Sequence, residues 1–558
     1  MAVGEPRKEW QITQVSWTDG TAQDVYYWQE HSFQYSANIN CDDEMHWIKL
    51  ASKAIKTSSF AKCDLVSWGD YGVYALPVEG WDVKLINCNG SSITGGNSLW
   101  SINAWADVVP WTIFQDFFWF GVNVSTIWGM FKVQNGWTWL TAIAPYDHTD
   151  YTDEAISSAS TKTVPMGGAI TAMLNYNNTR LVVWVWATAT SNAGVRVYYP
   201  ELDATNPRSP YYDAQAIPWQ TGWKKVLDYE AWVTIVALTC TFEYLKVWAV
   251  DEGWSTKVYY YQGNNNLRST FVYNVVDLTG ERVLRAYSIN GMDYFITSID
   301  GTDGYVNLNK MIGNVAVPLF HQRAWLTQYD INTKAPYFVW PTGIKAAYKS
   351  GRFYIADAYG VFQFKYTPQG YDKGYMKWRL KDNKQVYWVC ENKGFLYVSY
   401  EDGCCAMRLY DTWVDGYQDE WVLISREYEG SEWGTITKML DEIRLNYEMN
   451  PHTNQNGSID VYVSPNNTRW DTHTFTEANW WYHAMHIDQT NAWTRTEKSN
   501  LFNDMWGNDG SSFRFDWQTI TYAIVINLWN EDEATPIVRQ IDIKYHTKDK
   551  VNKVYTIK

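Results

Sequence analysis

The sequence has few positively charged residues for its length. Its 558 residues include 46 Lys and Arg against 61 Asp and Glu, which gives a formal net charge of −15, and the basic residues form no cluster. A surface that binds phosphates needs clustered Lys and Arg. We therefore expect no nucleic-acid-specific binding.

Long apolar segments are also missing. The most apolar stretch, residues 111–128, contains Gln115 and Asp116, and no segment is both apolar and free of charge over the eighteen or so residues that a spanning helix needs. We expect a soluble protein with no membrane span. The first ten residues, MAVGEPRKEW, lack the apolar core of a secretory signal, so export by that route is not expected.

Cysteine is scarce and scattered. The seven cysteines are an odd number and show no pairs with metal-ligand spacing, and neighbours on a strand point to opposite faces. We predict that they are buried, reduced and structural. They are Cys41, Cys63, Cys88, Cys240, Cys390, Cys404 and Cys405.

Runs of Ala, Leu, Glu and Lys, which favour helices, are scarce as well. The chain is instead rich in aromatic residues, with 41 Tyr, 34 Trp and 20 Phe beside abundant Val, Thr and Ile. These residue types favour pleated surfaces. The composition predicts an all-β protein.

One β-hairpin pattern occurs twice in residues 344–409. SGRFYIADAYGVFQF begins at Ser350 and KGFLYVSYEDGCCAM begins at Lys393, with Gly351 and Gly394 in register at an offset of 43 residues. Each copy has an apolar strand, a polar turn with Gly and a returning strand of period two. Because a single hairpin is only marginally stable, its recurrence predicts neighbours stacked against it.

Similar hairpins begin at Cys63, Phe117, Asn178, Phe242 and Asp293, which makes seven. Each interval leaves room for two more strands, as in the four-stranded blades of a β-propeller. We predict a β-propeller of about seven blades, and a pair of β-sandwiches is the competing architecture. WD or kelch signatures are absent.

The pattern changes near residue 426, where long alternating strands begin. ITKMLDEIRLNYEM, GSIDVYVSPNNTRW and the closing TPIVRQIDIKYH predict a C-terminal jelly-roll or lectin-like β-sandwich. The expected domains are residues 59–425 for the propeller and 426–558 for the sandwich. Residues 1–58 are either an N-terminal extension or part of the first blade.

This layout resembles that of bacteriophage tail and virion proteins that join a β-propeller to a C-terminal sandwich. The resemblance lies in the hairpins of the GRFYIADAYGVFQF kind followed by LISREYEGSEWGTITKMLDEIRLNYE and IVRQIDIKY. It implies a non-enzymatic structural protein of the virion, an extracellular particle. The expected place is the tail nozzle, hub or tail tip, in a homo-oligomeric ring with other tail proteins and a possible host-surface glycan as partners.

Catalytic signatures are lacking. SIDGTDGY at Ser298 departs from the sialidase Asp-box at Thr302, so Asp300 and Asp303 are interpreted as turn-capping residues. There is no phosphate-binding loop and no nucleophile elbow. The alternative function is an extracellular carbohydrate-binding or glycoside-hydrolysing propeller, which requires a carboxylate pair that the sequence cannot select.

A metal site and a cofactor are not expected either. Four of the nine histidines fall in the C-terminal region: His452, His473, His483 and His486. On a regular strand His483 and His486 face opposite sides, and no cysteine lies nearby to complete a tetrahedral site.

Aromatic residues supply the only candidate contact site. They cluster in the middle of the C-terminal region, where exposed Trp and Tyr would bind a ligand or another subunit. The candidates are Trp470, Trp480, Trp481, Tyr482 and Trp493. Core packing is the alternative interpretation.

Tryptophan also occupies several places where a turn would favour glycine. The chain has only 35 Gly, and two interpretations are open. The codons for these tryptophans are reassigned ones that standard translation reads as Trp, or the tryptophans are ordinary aromatic surface residues. The positions concerned are Trp254, Trp413, Trp433 and Trp506.

Overall fold

The computed structural model describes the residues that form strands and their adjoining turns. They are 9–14, 18–19, 32–41, 47–50, 55–58, 63–76, 78–79, 82–88, 97–101, 110–124, 127–134, 141–143, 146–148, 163–165, 170–185, 193–203, 221–229, 234–241, 244–250, 255–263, 270–278, 281–289, 291–299, 305–323, 346–349, 352–356, 360–367, 370–379, 386–408, 421–428, 437–449, 457–465, 481–488, 495–500, 516–527 and 536–547. These ranges contain 44 β-strands, a single 3₁₀ turn at Gly69–Tyr71 and no α-helix. The all-β prediction is confirmed.

The chain divides into two compact units, which are described separately. One contains the described residues of Thr57–Ala324. The other contains those of Met1–Lys56 and Ala346–Lys558. The predicted boundaries at residues 58 and 425 remain a prediction.

The first unit consists mainly of five successive antiparallel sheets, each with four main strands in chain order and a short β9 beside the first sheet. The strands of the first two sheets are β7 (Asp64–Ser67), β8 (Val73–Leu76), β9 (Val78–Glu79), β10 (Asp82–Asn87), β11 (Asn97–Ser101), β12 (Trp111–Phe114), β13 (Phe117–Val124), β14 (Ile127–Gln134) and β15 (Thr141–Ile143). A two-stranded sheet follows, formed by β16 (Tyr146–His148) and β17 (Thr163–Pro165). The next three sheets comprise β18 (Ile170–Tyr176), β19 (Arg180–Val185), β20 (Ala193–Asp203), β21 (Thr221–Tyr229), β22 (Thr234–Thr241), β23 (Tyr244–Val250), β24 (Thr256–Gly263), β25 (Thr270–Leu278), β26 (Glu281–Ile289), β27 (Met292–Ile299), β28 (Tyr305–Ile312) and β29 (Val315–Arg323).

Successive sheets of this unit pack face to face through buried side chains. Phe114 and Trp119 share a cluster with Trp223 of the following sheet. Further along the chain, Trp248 shares a cluster with Phe295. Strands that bury both faces bring large aromatic residues into these layers, and this packing stabilises each hairpin against its neighbour.

The second unit repeats the four-stranded pattern in its middle section. Its strands there are β30 (Ala346–Lys349), β31 (Arg352–Ala356), β32 (Gly360–Thr367), β33 (Gly370–Arg379), β34 (Val386–Asn392), β35 (Phe395–Tyr400) and β36 (Gly403–Arg408). The sheet order β34-β35-β36 continues to β6 (Ile55–Ser58). Tyr354 and Val361 share a buried cluster with Val398 and Met407.

All seven predicted hairpins are present. Six lie in separate sheets of four or five strands, and the hairpin of β31 and β32 lies in the run β30-β31-β32-β33, which forms one end of an 11-stranded sheet. Sheets of four strands that stack on the next sheet along the chain are propeller blades. The β-propeller prediction is therefore confirmed.

The remaining strands of the second unit come from both ends of the chain. At the N-terminal end they are β1 (Glu9–Gln14), β2 (Thr18–Asp19), β3 (Ser32–Ala37), β4 (Ile39–Asn40) and β5 (Ile48–Leu50). At the C-terminal end they are β37 (Trp421–Ser425), β38 (Lys438–Glu448), β39 (Ser458–Pro465), β40 (Tyr482–Asp488), β41 (Arg495–Asn500), β42 (Asp516–Trp517), β43 (Ile520–Asn527) and β44 (Ile537–Thr547).

Two sheets are built from these strands. One is the six-stranded sheet β2-β3-β37-β43-β39-β40. The other is the 11-stranded sheet, in which the run β30-β31-β32-β33 continues as β4-β5-β44-β38-β41, with β1 beside β44 and β42 beside β38. Alternating residues of both sheets, such as Ile443 and Ile541 in one and Val461 and Ile524 in the other, are buried in one hydrophobic cluster. The jelly-roll or lectin-like sandwich remains a prediction for this region.

Candidate functional site

Two imidazoles converge on one carboxylate at the end of the six-stranded sheet. The Nε2 of His483 lies 2.9 Å from Oδ1 of Asp460, and the Nδ1 of His486 lies 2.7 Å from the same oxygen. Asp460 is buried, whereas the side chains of His483 and His486 are 47% and 56% exposed. The three residues form a His-His-Asp cluster that opens to solvent.

A β-bulge places the two histidines on the same face. Asp460 pairs with His486 and Val461 with Met485, but the next residue, Tyr462, pairs with His483. Ala484 is therefore the extra residue on β40. The sequence-based argument that His483 and His486 face opposite sides is wrong, because it assumed an uninterrupted period of two.

The second oxygen of Asp460 is held in place by one residue of its own strand and one of the neighbouring β43. Ser458 Oγ donates to Oδ2 at 2.6 Å, and the amide of Asn527 lies 3.4 Å from it. Burial by itself raises the pKa of Asp460, but hydrogen bonds from His483, Ser458 and His486 outweigh burial and lower the pKa to about 2. At neutral pH the group is an oriented carboxylate with one oxygen facing two imidazoles.

A second polar cluster lies inside the five-sheet unit. The Nζ of Lys246 donates to a carboxylate oxygen of Asp293 and, at 3.0 Å, to Oγ1 of Thr241. Thr241 in turn donates to the other oxygen of Asp293 at 2.8 Å. The ammonium also lies 4.9 Å from the ring centre of Tyr260. This cluster is closed, since each of its charges is bound by a neighbour.

Hairpin turns of the same unit carry further hydrogen bonds between successive sheets. The backbone N–H of Gln115 donates to Oδ1 of Asn178 at 3.3 Å, and the Nδ2 of Asn175 donates to the carbonyl of Ile113 at 2.8 Å. Between the next two sheets, the thiol of Cys240 lies 3.8 Å from Oδ1 of Asn177. Gln115, Asn177 and Asn178 all have positive φ, so these contacts come from tight hairpin turns. The turns link adjacent sheets through polar contacts.

Two of the predicted aromatic contact residues lie in the described part of the chain. Trp481 is only 2% exposed and packs with Ala37, Val422 and Val525. It is a core residue, and its predicted role in an exposed contact is corrected. Tyr482 is half-buried and packs against the neighbouring cluster. Trp470, Trp480 and Trp493 lie outside the described residues.

Other residues singled out in the sequence have varied outcomes. All seven cysteines are reduced thiols, six of them are buried as predicted, and Cys240 is half-buried. His452, His473, Asp300, Asp303 and the four tryptophans of the reassignment hypothesis lie outside the described residues. Asp460, Lys246 and Asp293 were missed, because their ionisable partners are 23 or more residues away along the chain. Within the described ranges, no helix is both long enough and apolar enough to span a bilayer.

No protein-family model matches the chain, and no curated protein matches it. Several solved structures share its architecture loosely. A catalytically inactive virginiamycin B lyase from Staphylococcus aureus is 10% identical and covers 65% of this chain and 98% of its own, with a TM-score of 0.37. BamB from Moraxella catarrhalis is 11% identical and covers 62% of this chain and 81% of its own, with a TM-score of 0.32. The Nup133 β-propeller domain from Vanderwaltozyma polyspora is 10% identical and covers 67% of this chain and 100% of its own, with a TM-score of 0.36. At these scores the likenesses carry no functional argument.

Proposed function

We propose that the protein is a non-enzymatic structural component of a bacteriophage virion. In this proposal the chain is a rigid subunit of a tail ring at the nozzle, hub or tail tip. It assembles with copies of itself and with other tail proteins, and it contacts the host surface. The proposal starts from the resemblance carried by the hairpin series and the strands that follow it, and none of the similar structures described above is a virion protein.

The observation that supports it best is the closed cluster of Lys246 and Asp293. The two residues are 6% and 1% exposed, and their hydrogen-bonding groups bind each other and Thr241 across two successive sheets. A catalytic carboxylate must instead present its oxygens to a substrate. Buried charges that join two successive blades fit the rigid subunit of this proposal.

Mass spectrometry and cryo-electron microscopy of purified particles test the proposal. We expect the chain in intact virions, in a fixed number of copies related by the symmetry of the tail. Purified recombinant chain is expected to form homo-oligomers, measured by size-exclusion chromatography with light scattering. If the chain is present in the infected-cell lysate but absent from washed particles, the proposal is wrong.

The same preparation distinguishes the carbohydrate alternative. We expect no release of reducing sugar when the purified chain is incubated with a panel of bacterial polysaccharides. Release of sugar by the chain, combined with its absence from particles, would establish the alternative instead.

A further inference from the structure

We propose that Asp460, His483 and His486 bind one divalent transition-metal ion of the Zn²⁺ class. The ligand atoms would be Oδ1 of Asp460, Nε2 of His483 and Nδ1 of His486. This proposal does not depend on the proposed virion role, because the three ligands all belong to the six-stranded sheet of this chain.

The distances among the three ligand atoms suit such an ion. With metal–ligand bonds of about 2.1 Å, ligands that subtend 90–110° at the ion lie about 3.0–3.4 Å apart. The three residues offer atoms that all lie within 4.8 Å of one another, and the two nitrogen–oxygen distances are 2.9 and 2.7 Å. Both imidazoles are about half exposed, so their rings have room to turn and bring the two nitrogens, which lie within 4.8 Å of each other, to the separation that the ion requires.

The surroundings of Asp460 resemble those of a prepared ligand. Ser458 and Asn527 hold Oδ2, which leaves Oδ1 directed at the two histidines. Outer hydrogen bonds of this kind fix the orientation of a ligating carboxylate and raise metal affinity. The exposure of both imidazoles leaves the remaining coordination positions to water.

The donor set decides the class of metal. Two imidazole nitrogens and one carboxylate oxygen suit Zn²⁺ and its transition-metal neighbours, whereas Mg²⁺ and Ca²⁺ prefer all-oxygen sites. The His546–Asp441 pair is a useful contrast, because a single imidazole nitrogen there lies 2.7 and 2.8 Å from the two oxygens of one carboxylate. That pair supplies too few ligands for comparable affinity.

The position of the site suggests what an ion would do. In the described strands, β40 is the last strand of the order β2-β3-β37-β43-β39-β40. Among the described strands, β40 therefore pairs with β39 alone. An ion bound by His483 and His486 on β40 and by Asp460 on β39 would cross-link these two strands.

Isothermal titration with ZnCl₂ tests the site in the chelator-treated, full-length chain. We expect the wild type to bind one more equivalent of Zn²⁺ at micromolar or tighter affinity than the double variant H483A/H486A. Each single variant, and Asp460→Asn, is expected to weaken that equivalent at least tenfold. His546→Ala is the matched control, and it should change the affinity less than twofold.

A second readout separates specific coordination from loose binding to surface histidines. Co²⁺ substitution should give visible d–d absorption bands in the wild type and in H546A, and these bands should be lost in H483A/H486A. Because the two replaced side chains are exposed, we expect near-ultraviolet circular dichroism to match that of the wild type. His486→Gln provides a polar variant if the alanine variant does not fold. The proposal is wrong if the wild type and the folded double variant bind the same number of Zn²⁺ ions. It is also wrong if H546A loses Zn²⁺ binding to the same extent as H483A/H486A.

Discussion

The ammonium of Lys246 on β23 and the carboxylate of Asp293 on β27 form an ion pair between successive sheets, with only 6% and 1% of the two residues exposed. Breaking a buried pair leaves one charge without compensation. We expect Lys246→Met to lower the free energy of unfolding by about 3–5 kcal/mol, measured by urea denaturation of the full chain.

The control for this prediction is a partly exposed ion pair. The side chains of Arg539 and Glu448 are 34% and 41% exposed. Glu448→Gln should cost at most about 1 kcal/mol, since solvent screens such pairs. Equal losses in the two variants would contradict the interpretation that burial makes the Lys246 pair important.

Gly121 is required because its neighbours leave too little room for a side chain, and not because of its backbone conformation. A Cβ added there would lie 3.0 Å from Cβ of Ile170 and 3.2 Å from Cγ of Pro110. We expect Gly121→Ala to lower the free energy of unfolding by about 1–3 kcal/mol through overpacking, and Gly121→Asn to lower it further.

Gly313 provides the opposite case. It has φ of +61° and nothing within 4 Å of an added Cβ. Gly313→Ala should cost about 1 kcal/mol, and Gly313→Asn should recover part of that loss because asparagine tolerates the left-handed region. If asparagine is the worse substitution at both glycines, the distinction between space and backbone is wrong.

A substitution in the Lys393-Gly394 turn is expected to stabilise the protein. Both residues have positive φ, +50° for Lys393 and +82° for Gly394, which is the geometry that favours Asn-Gly in two-residue hairpins. We expect Lys393→Asn to raise the free energy of unfolding by about 0.5–1 kcal/mol. Lys393→Ala is the control and should show no gain, because alanine is as strained there as lysine.

The thiol of Cys405 predicts sensitivity to alkali. Burial raises its pKa from the ordinary 9.0 to about 12. Below pH 9 the thiol is neutral in the folded and unfolded states, and its stabilising effect is complete. Between pH 9 and 12 the unfolded thiol loses its proton while the folded one keeps it, so this group lowers the free energy of unfolding by about 1.4 kcal/mol per pH unit.

Urea denaturation at pH 8, 9, 10 and 11 checks this prediction. We expect the decline with pH to be less steep in Cys405→Ala than in the wild type, although the variant starts from a lower value because of the space it opens. Burial likewise raises the pKa of Cys390 and Tyr260, so some decline should remain. Identical slopes in the two proteins would show that Cys405 does not contribute.

The repeated hairpins could be predicted because their signals are local. A strand of period two, a turn with Gly and a returning strand all lie within about 15 residues, as in the segment that begins at Lys393. No local pattern of this kind identifies the strand with which β1 pairs. Trp10 pairs with Tyr545 of β44, and no local pattern specifies a partner more than 500 residues away.

The candidate site escaped prediction for a related reason. Its ligands were visible as residue types, but their common face depends on the bulge at Ala484. Trp481 was a candidate for an exposed contact with core packing as the alternative, and it is buried in the core. Burial depends on the neighbouring strands β37 and β43, which the local sequence does not specify.

The bulge at Ala484 also makes the position of His483 depend on the lengths of the two paired strands. It exists because β40 has one residue more than the facing segment of β39, between Val461 and Tyr462. One residue inserted in β39 at that point would pair with Ala484, restore the period of two and turn His483 to the other face, with every ligand still encoded. Deleting Ala484 would instead leave the histidines two residues apart, on one face of a regular strand. The relative length of the two strands therefore decides whether the two histidines share a face.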